Sequence, residues 1–258
     1  MRTISIMNVK GGTGKTATAV NLAAILAVEQ SKRVLVVDVD PQGDATYMLA
    51  PDYDMEAQTG AYGLLALGED PESGIFETAF RGLDLVGGSP DLIYLSMDSS
   101  QRVTGAMEDL RIWARSVGRY DYMIVDCPPA FCASTVAALA ASDLVLIPVA
   151  LDALSMRGCQ LLTTQLETIN DISPSCCDIA ILPTMWHNCE VCKQALDALV
   201  DMDLPVLPVK IRRTDKVPES TFYRLPLIEY SRTSAAGVDY RQLSQLAIIH
   251  AGKAVHHG

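Results

Sequence analysis

The sequence predicts an α/β fold, a doubly wound and mostly parallel sheet with helices on both faces, formed by one domain over residues 1–258. Three observations predict it. Short β-branched runs alternate with alanine- and leucine-rich helical stretches along the whole chain, the pattern of parallel strands joined by crossover helices. A glycine-rich turn joins the first strand to the first helix. Two further strands end in aspartates followed by turn residues, and in a parallel sheet all such ends open on one crevice.

Residues 3–9 alternate polar and apolar side chains and read as the first strand, whereas Ala17, Ala19, Val20, Leu22, Ala23, Ala24, Ile25, Leu26 and Ala27 mark a mostly buried helix over residues 17–28. A second strand is expected over 33–37, then a variable region over 51–77 and a strand over 83–86. A helix over 99–116 leads to a strand over 122–125 and a helix over 134–140. Next come a strand over 144–149, a helix over 155–169, a strand over 179–183 and a helix over 190–200. A strand over 205–209 and a terminal helix over 235–251 complete the order. No long Pro/Ser linker, repeat or low-complexity tract divides the chain, and 258 residues suffice to bury one large core.

Lys10-Gly11-Gly12-Thr13-Gly14-Lys15-Thr16 carries the chemistry. Glycines let successive backbone N–H groups turn toward phosphate, a helix N-terminus follows, and Lys15 and Thr16 supply the cation and the Mg²⁺-ligating hydroxyl. The motif departs from G-x-x-x-x-G-K-[ST], because Val9 replaces the first glycine and Lys10 is an added cation. Two more segments converge on it: Val37-Asp38-Val39-Asp40-Pro41-Gln42-Gly43 and Val125-Asp126-Cys127-Pro128-Pro129. Carboxylates at these strand ends suit Mg²⁺, which dehydrates reluctantly and is held partly through its waters.

With these three segments, Leu146-Ile147-Pro148-Val149, Ile211-Arg212-Arg213-Thr214 and Ile228-Glu229-Tyr230, the chain resembles the ParA/MinD group of deviant Walker P-loop ATPases. It is most similar to the small ParA partition ATPases, since Asp-Pro-Gln-Gly favours ParA over MinD. The resemblance implies ATP and Mg²⁺ as cofactors and slow, partner-stimulated hydrolysis. It implies that Lys10 reaches across an ATP-dependent homodimer to the other subunit's phosphates, where two facing triphosphates need intervening cations. Lys15 would grip the β- and γ-phosphates and Asp40 would orient the attacking water. Thr16, Asp38 and Asp126 form the metal set. The nucleotide set is Lys10, Gly11, Gly12, Thr13, Gly14, Lys15, Thr16 and Ala17, with Asp152, Thr184, Met185, Pro208 and Lys210. A centromere-binding (ParB-type) or cargo adaptor protein is the implied partner.

Charge complicates this. The net charge of −11 discourages general nucleic-acid affinity. The acidity is local, however: residues 51–100 hold ten acidic side chains against Arg81, while residues 207–241 hold seven basic and four acidic ones. The resemblance places non-specific DNA contacts at Arg213, Lys216 and Arg232, with Arg212 beside them. The ATP-bound dimer would double those contacts and tie DNA affinity to nucleotide state. The stretch Ser234-Ala235-Ala236-Gly237 is neutral where the family is usually more basic.

Two alternatives remain. A MinD-like membrane-cycling ATPase needs a basic amphipathic C-terminal helix, and residues 247–258 are short and poor in Lys/Arg, so stable membrane association is not expected. A nucleotide-dependent metallocluster carrier would rest on Cys189 and Cys192, near His187. No second Cys-x-x-Cys accompanies them, so loop and helix-cap roles are expected. Met1-Arg2 leads directly into the first strand, and no run of about 18 apolar residues appears. The expected location is therefore cytoplasmic, nucleoid-associated when ATP is bound, with the seven cysteines reduced.

Overall fold

The computed structural model describes residues 1–151, 164–165, 167–169, 171, 178–202 and 204–249, without the side chains of 96–97 and 247–249. Seven strands form one sheet in the order β3-β4-β2-β5-β1-β6-β7. They are β1 (Arg2–Ile6), β2 (Val34–Asp38), β3 (Ile75–Glu77), β4 (Leu83–Val86), β5 (Tyr122–Asp126), β6 (Leu144–Ala150) and β7 (Asp178–Thr184). All neighbours pair in parallel except β3, which runs antiparallel to β4 at the edge.

Sequence dictates this arrangement through the apolar runs at the centre. Every residue of β2 and of β5 is buried, as strands covered on both faces require. The period of two then sorts side chains to two cores. Leu35, Val37, Met123 and Val125 meet Met107 and Leu110 of α4 (Ser100–Ser116), Ala137 of α5 (Ala133–Ala140) and Leu199 of α6 (Glu190–Asp201). On the other face Ile4, Ile6, Val34 and Val36 meet Ala19 and Ala23 of α1 (Lys15–Ala24) and Tyr240 and Leu243 of α9 (Ala235–Ile249).

Further α-helices among the described residues include α2 (Asp44–Leu49), the single turn α3 (Gly60–Tyr62), α7 (Lys216–Phe222) and α8 (Leu227–Tyr230). Asn21 of α1 ties α8 to the body, its Oδ1 accepting from Leu227 N at 2.7 Å.

One expectation needs correction. The segment 205–209 is no strand: it makes one bridge, Val206 with Ile181, because Pro205 and Pro208 have no N–H to extend a ladder. The variable region supplies α3 and the edge strand β3. The expected helix over 155–169 lies largely outside the described residues, and Asp152, Cys159, Cys176 and Cys177 lie wholly outside them. Among the described residues no helix is long and apolar enough to cross a membrane.

Candidate active site

The glycine turn leaves β1 where that strand lies between β5 and β6, with Ile6 opposite both Asp126 and Leu146. Asn8, 4% exposed, sets its course: Nδ2 donates to Pro148 O at 2.7 Å, and Oδ1 accepts from Lys10 N at 2.9 Å. Gly12 and Gly14 have φ of +72° and +88°, the left-handed region that side chains resist. A Cβ on Gly11, Gly12 or Gly14 would meet nothing within 4 Å, so the concave side of the loop is open to a ligand. The Thr184 hydroxyl donates to Thr13 O at 2.8 Å and fastens the loop to the end of β7. Lys15 opens α1 and folds back, its Nζ donating to Lys10 O at 3.3 Å. A helix N-terminus, open glycines and a retained lysine together make an anion cradle.

Carboxylates stand opposite. The β2–β5 register sets Asp38 beside Asp126, both fully buried. Neither Asp126 oxygen accepts a hydrogen bond among the described residues. Burial, then the neighbouring Asp38, pushes its carboxyl well above the usual carboxylate range; the Thr16 hydroxyl offsets part of this without reaching hydrogen-bonding geometry. Lys15 is held below its ordinary value by burial, with Asp126 and then Asp40 opposing. A buried carboxylate lacking a donor fits a cation ligand, and oxygen donors from Thr16 and Asp126 are the hard set Mg²⁺ prefers.

Asp38, expected in the metal set, accepts hydrogen bonds at both oxygens. Its Oδ2 accepts from Thr46 N at 2.9 Å and Thr46 Oγ1 at 2.7 Å, and its Oδ1 accepts from Asp40 N at 3.2 Å. Its pKa is pushed up to about 6 by burial, with the Thr46 bonds pulling it back. This side chain thus organises the turn that carries Asp40, whose own Oδ1 accepts from Gln42 N at 2.9 Å. Asn8, Thr46 and Gly88 are site-building residues that sequence reasoning missed. Gly88 N donates to Thr46 Oγ1 at 2.7 Å, and a Cβ there would come within 2.9 Å of Asp38 Cγ. The Gly87-Gly88 pair after β4 was the available signal.

Of the outer nucleotide candidates, Met185 takes a left-handed φ of +57°, Pro208 is exposed, and Lys210 Nζ sits 4.4 Å from the Trp186 ring centroid. Thr16 and Ala17 lie half-buried in the first turn of α1. The basic candidates separate sharply. Arg212, expected beside the DNA contacts, is engaged within the chain: its guanidinium grips Asp239, 4% exposed, with Nη2 to Oδ1 at 2.7 Å, and caps Ala235 O at 3.1 Å. Lys216 pairs with Glu219 at 2.6 Å and Arg232 with Glu29 at 3.2 Å, both cations on the surface. Arg213 is exposed and makes no ion pair among the described residues. Cys189 is the N-cap of α6, its Sγ accepting from Cys192 N at 3.4 Å, in line with the cap role expected.

An anion cradle faced by buried carboxylates at the strand ends of a parallel sheet defines a phosphate-binding α/β protein. A family model described as AAA domain matches residues 1–177. The chain is 34% identical to the chromosome-partitioning ATPase Soj of Thermus thermophilus over 95% of its length and 94% of that protein's. Cobyrinic acid a,c-diamide synthase from Mycobacterium smegmatis, with bound ATP analog and magnesium, superposes with a TM-score of 0.81 at 25% identity, covering 98% of this chain and 96% of that one. The septum site-determining protein MinD of Pyrococcus horikoshii, complexed with Mg-ADP, gives 0.77 at 22% identity, covering 97% of each. The chain belongs to the ParA/MinD family of P-loop ATPases.

Proposed function

We propose that this chain is a partition-type ATPase: it dimerises on ATP, holds DNA without sequence preference in that state, and lets go when an adaptor protein stimulates hydrolysis. The carrying observation is Asp126, a fully buried carboxylate with no donor among the described residues, set opposite Lys15 and the open glycine loop. Thr16 and Asp126 would hold Mg²⁺, which would neutralise phosphate charge when bound. Lys15 binds the same phosphates from the helix side. Lys10 lies on the rim of the loop and serves the partner's triphosphate across the dimer. Asp40, 8% exposed and fixed by Gln42 N, holds the attacking water. Thr184, Met185, Pro208 and Lys210 line the purine and ribose side. The likeness to a chromosome-partitioning ATPase along nearly the whole chain supports this reading.

Exposed Arg213, Lys216 and Arg232 would carry the DNA contacts. Size-exclusion with light scattering in ADP and in ATP tests the switch, with Asp40→Ala to retain ATP. A dimer in ATP alone is expected; a monomer in both nucleotides would defeat the trans role of Lys10. Gel shifts with arbitrary duplex DNA should show ATP-dependent, salt-sensitive binding.

A further inference from the structure

The loop from β7 into α6 gathers three donor atoms that the phosphate site does not use. His187, Cys189 and Cys192 each offer one ligand atom, and all of these lie within 4.8 Å of one another. We propose that they form a binding site for a soft, tetrahedral divalent ion of the zinc class, one per chain.

The loop builds this cluster by its own backbone. Met185 turns through φ of +57°, and Cys189 N donates to His187 O at 2.8 Å, closing the chain on itself. Cys189 caps α6, which puts Cys192 in the first turn on the same side. His187 Nδ1 lies 3.2 Å from Met185 O and 3.5 Å from Cys192 Sγ. That last distance carries a metric argument. With Zn–S of about 2.3 Å and Zn–N of about 2.0–2.1 Å, the S···N edge of a tetrahedron is about 3.5 Å. The His187–Cys192 pair already stands at the separation that coordination demands, and Cys189 Sγ lies within 4.8 Å of both, close enough for a small side-chain rotation to close the set. Cys192 is buried, its thiol donating to Leu151 O at 3.2 Å, while His187 is exposed and Cys189 half-exposed, leaving an entry path.

The donor set also chooses the ion. Two thiolates and an imidazole are soft and borderline ligands that favour Zn²⁺ over Mg²⁺, whereas Thr16 and Asp126 offer only hard oxygen. The two sites therefore do not compete for one metal. On binding, both thiols release their protons to solvent and two metal–sulfur bonds form. The fourth position falls to water or the Leu151 carbonyl. Position gives the site its reach, because Thr184, three residues before His187, holds the glycine loop. Trp186 lies between, bonded through its N and O to Ile211 and Arg213.

Titration of the full chain, reduced and stripped with chelator, with Co²⁺ tests this. About one Co²⁺ per chain is expected, with the intense visible bands of a tetrahedral site, a thiolate-to-cobalt absorption and displacement by Zn²⁺. Cys189→Ser preserves the helix cap, so it isolates the ligand from the fold. It and His187→Ala should weaken binding by more than the roughly tenfold that losing even an outer-shell partner costs. Non-denaturing mass spectrometry of the unaltered protein, which needs no variant, should show one zinc gained and two protons lost. The proposal is overturned if no tetrahedral cobalt spectrum forms or if Cys189→Ser and His187→Ala bind undiminished. Binding that follows Cys176 and Cys177 instead, or a Cys189–Cys192 disulfide that persists under reductant, would overturn it equally.

Discussion

The glycine loop and the segment after β7 both carry basic side chains beside the same sheet, yet they hold them in opposite ways. In the loop, backbone geometry decides. Lys15 is buried to 7% exposure, fixed on Lys10 O, and faces Asp126, whose oxygens accept no hydrogen bond among the described residues. In the later segment, side-chain pairing decides. Arg212, Lys216 and Arg232 each have a carboxylate partner, and Arg213 alone of the four has none among the described residues. A charge kept unsatisfied in the interior costs the fold free energy and points to a ligand, whereas a charge paired at the surface contributes little and points to nothing in itself.

The largest effect expected is at the buried end of this contrast. Lys15→Ala should lower kcat/KM for ATP by roughly 100-fold or more, the scale of losing one preorganised charge contact in a water-excluded site. Phosphate-release assays check it. A loss below tenfold would place the cradle on no firmer footing than the surface cations.

Stability separates the two regions next. Asp126→Asn removes a buried charge without removing any hydrogen bond, so the nucleotide-free protein should melt higher than the parent at pH 8. The pH dependence has a defined sign. Asp126 and Asp38 have raised pKa values in the folded chain, the latter about 6, so above the ordinary carboxylate value the folded state still holds protons that the unfolded chain has released. Unfolding free energy from these groups is therefore greatest below about pH 4 and declines as pH rises through the folded values. Urea midpoints measured from pH 4 to pH 8 should fall less steeply in Asp126→Asn than in the parent. Identical slopes would mean the carboxylate has a partner after all.

Positioning residues come after these. Thr184→Val leaves Thr13 O without its donor at the base of the loop, a cost of about 1–3 kcal/mol. The expected result is a lower melting temperature and a higher KM for ATP, with kcat less affected. Gly88→Ala should cost more in kcat, since its Cβ displaces Asp38 and the Asp40 backbone.

How far the sequence could be read follows the same division. Lys10 to Thr16, Asp40 and Asp126 were legible because glycine spacing and strand-end aspartates are local signals, and the sheet brings strand ends together whatever the loops do. Asn8, Thr46 and Gly88 were not, because each acts on a partner far along the chain: Asn8 on Pro148, Thr46 on Gly88. Asp38 looked like its neighbours in sequence and differs only through Thr46, eight residues on. Pro205 and Pro208 argued against a strand over 205–209, and the apolar run hid that. The helix α7 escaped notice because Pro218 in its first turn reads as a breaker, although proline is tolerated there.

The smallest effects test the surface half of the comparison, and they test it by dissociating two adjacent arginines. Arg212→Ala should act on the fold: Asp239, 4% exposed, loses a bidentate partner, and Ala235 O loses a donor at the start of α9. A cost of about 1–3 kcal/mol is expected, lessened by the partial exposure of the pair. Arg213→Ala should leave the melting temperature unchanged, because no described residue pairs with that guanidinium. Its signature is the salt dependence of ATP-state DNA binding, where the slope of log K against log salt should fall by roughly one per protomer. Arg232→Ala should do the same more weakly, since Glu29 already competes for it. If Arg212→Ala changes the salt slope while Arg213→Ala does not, an intramolecular ion pair is the DNA contact. The rule that separates paired from unpaired cations would then fail in the region where it was meant to discriminate.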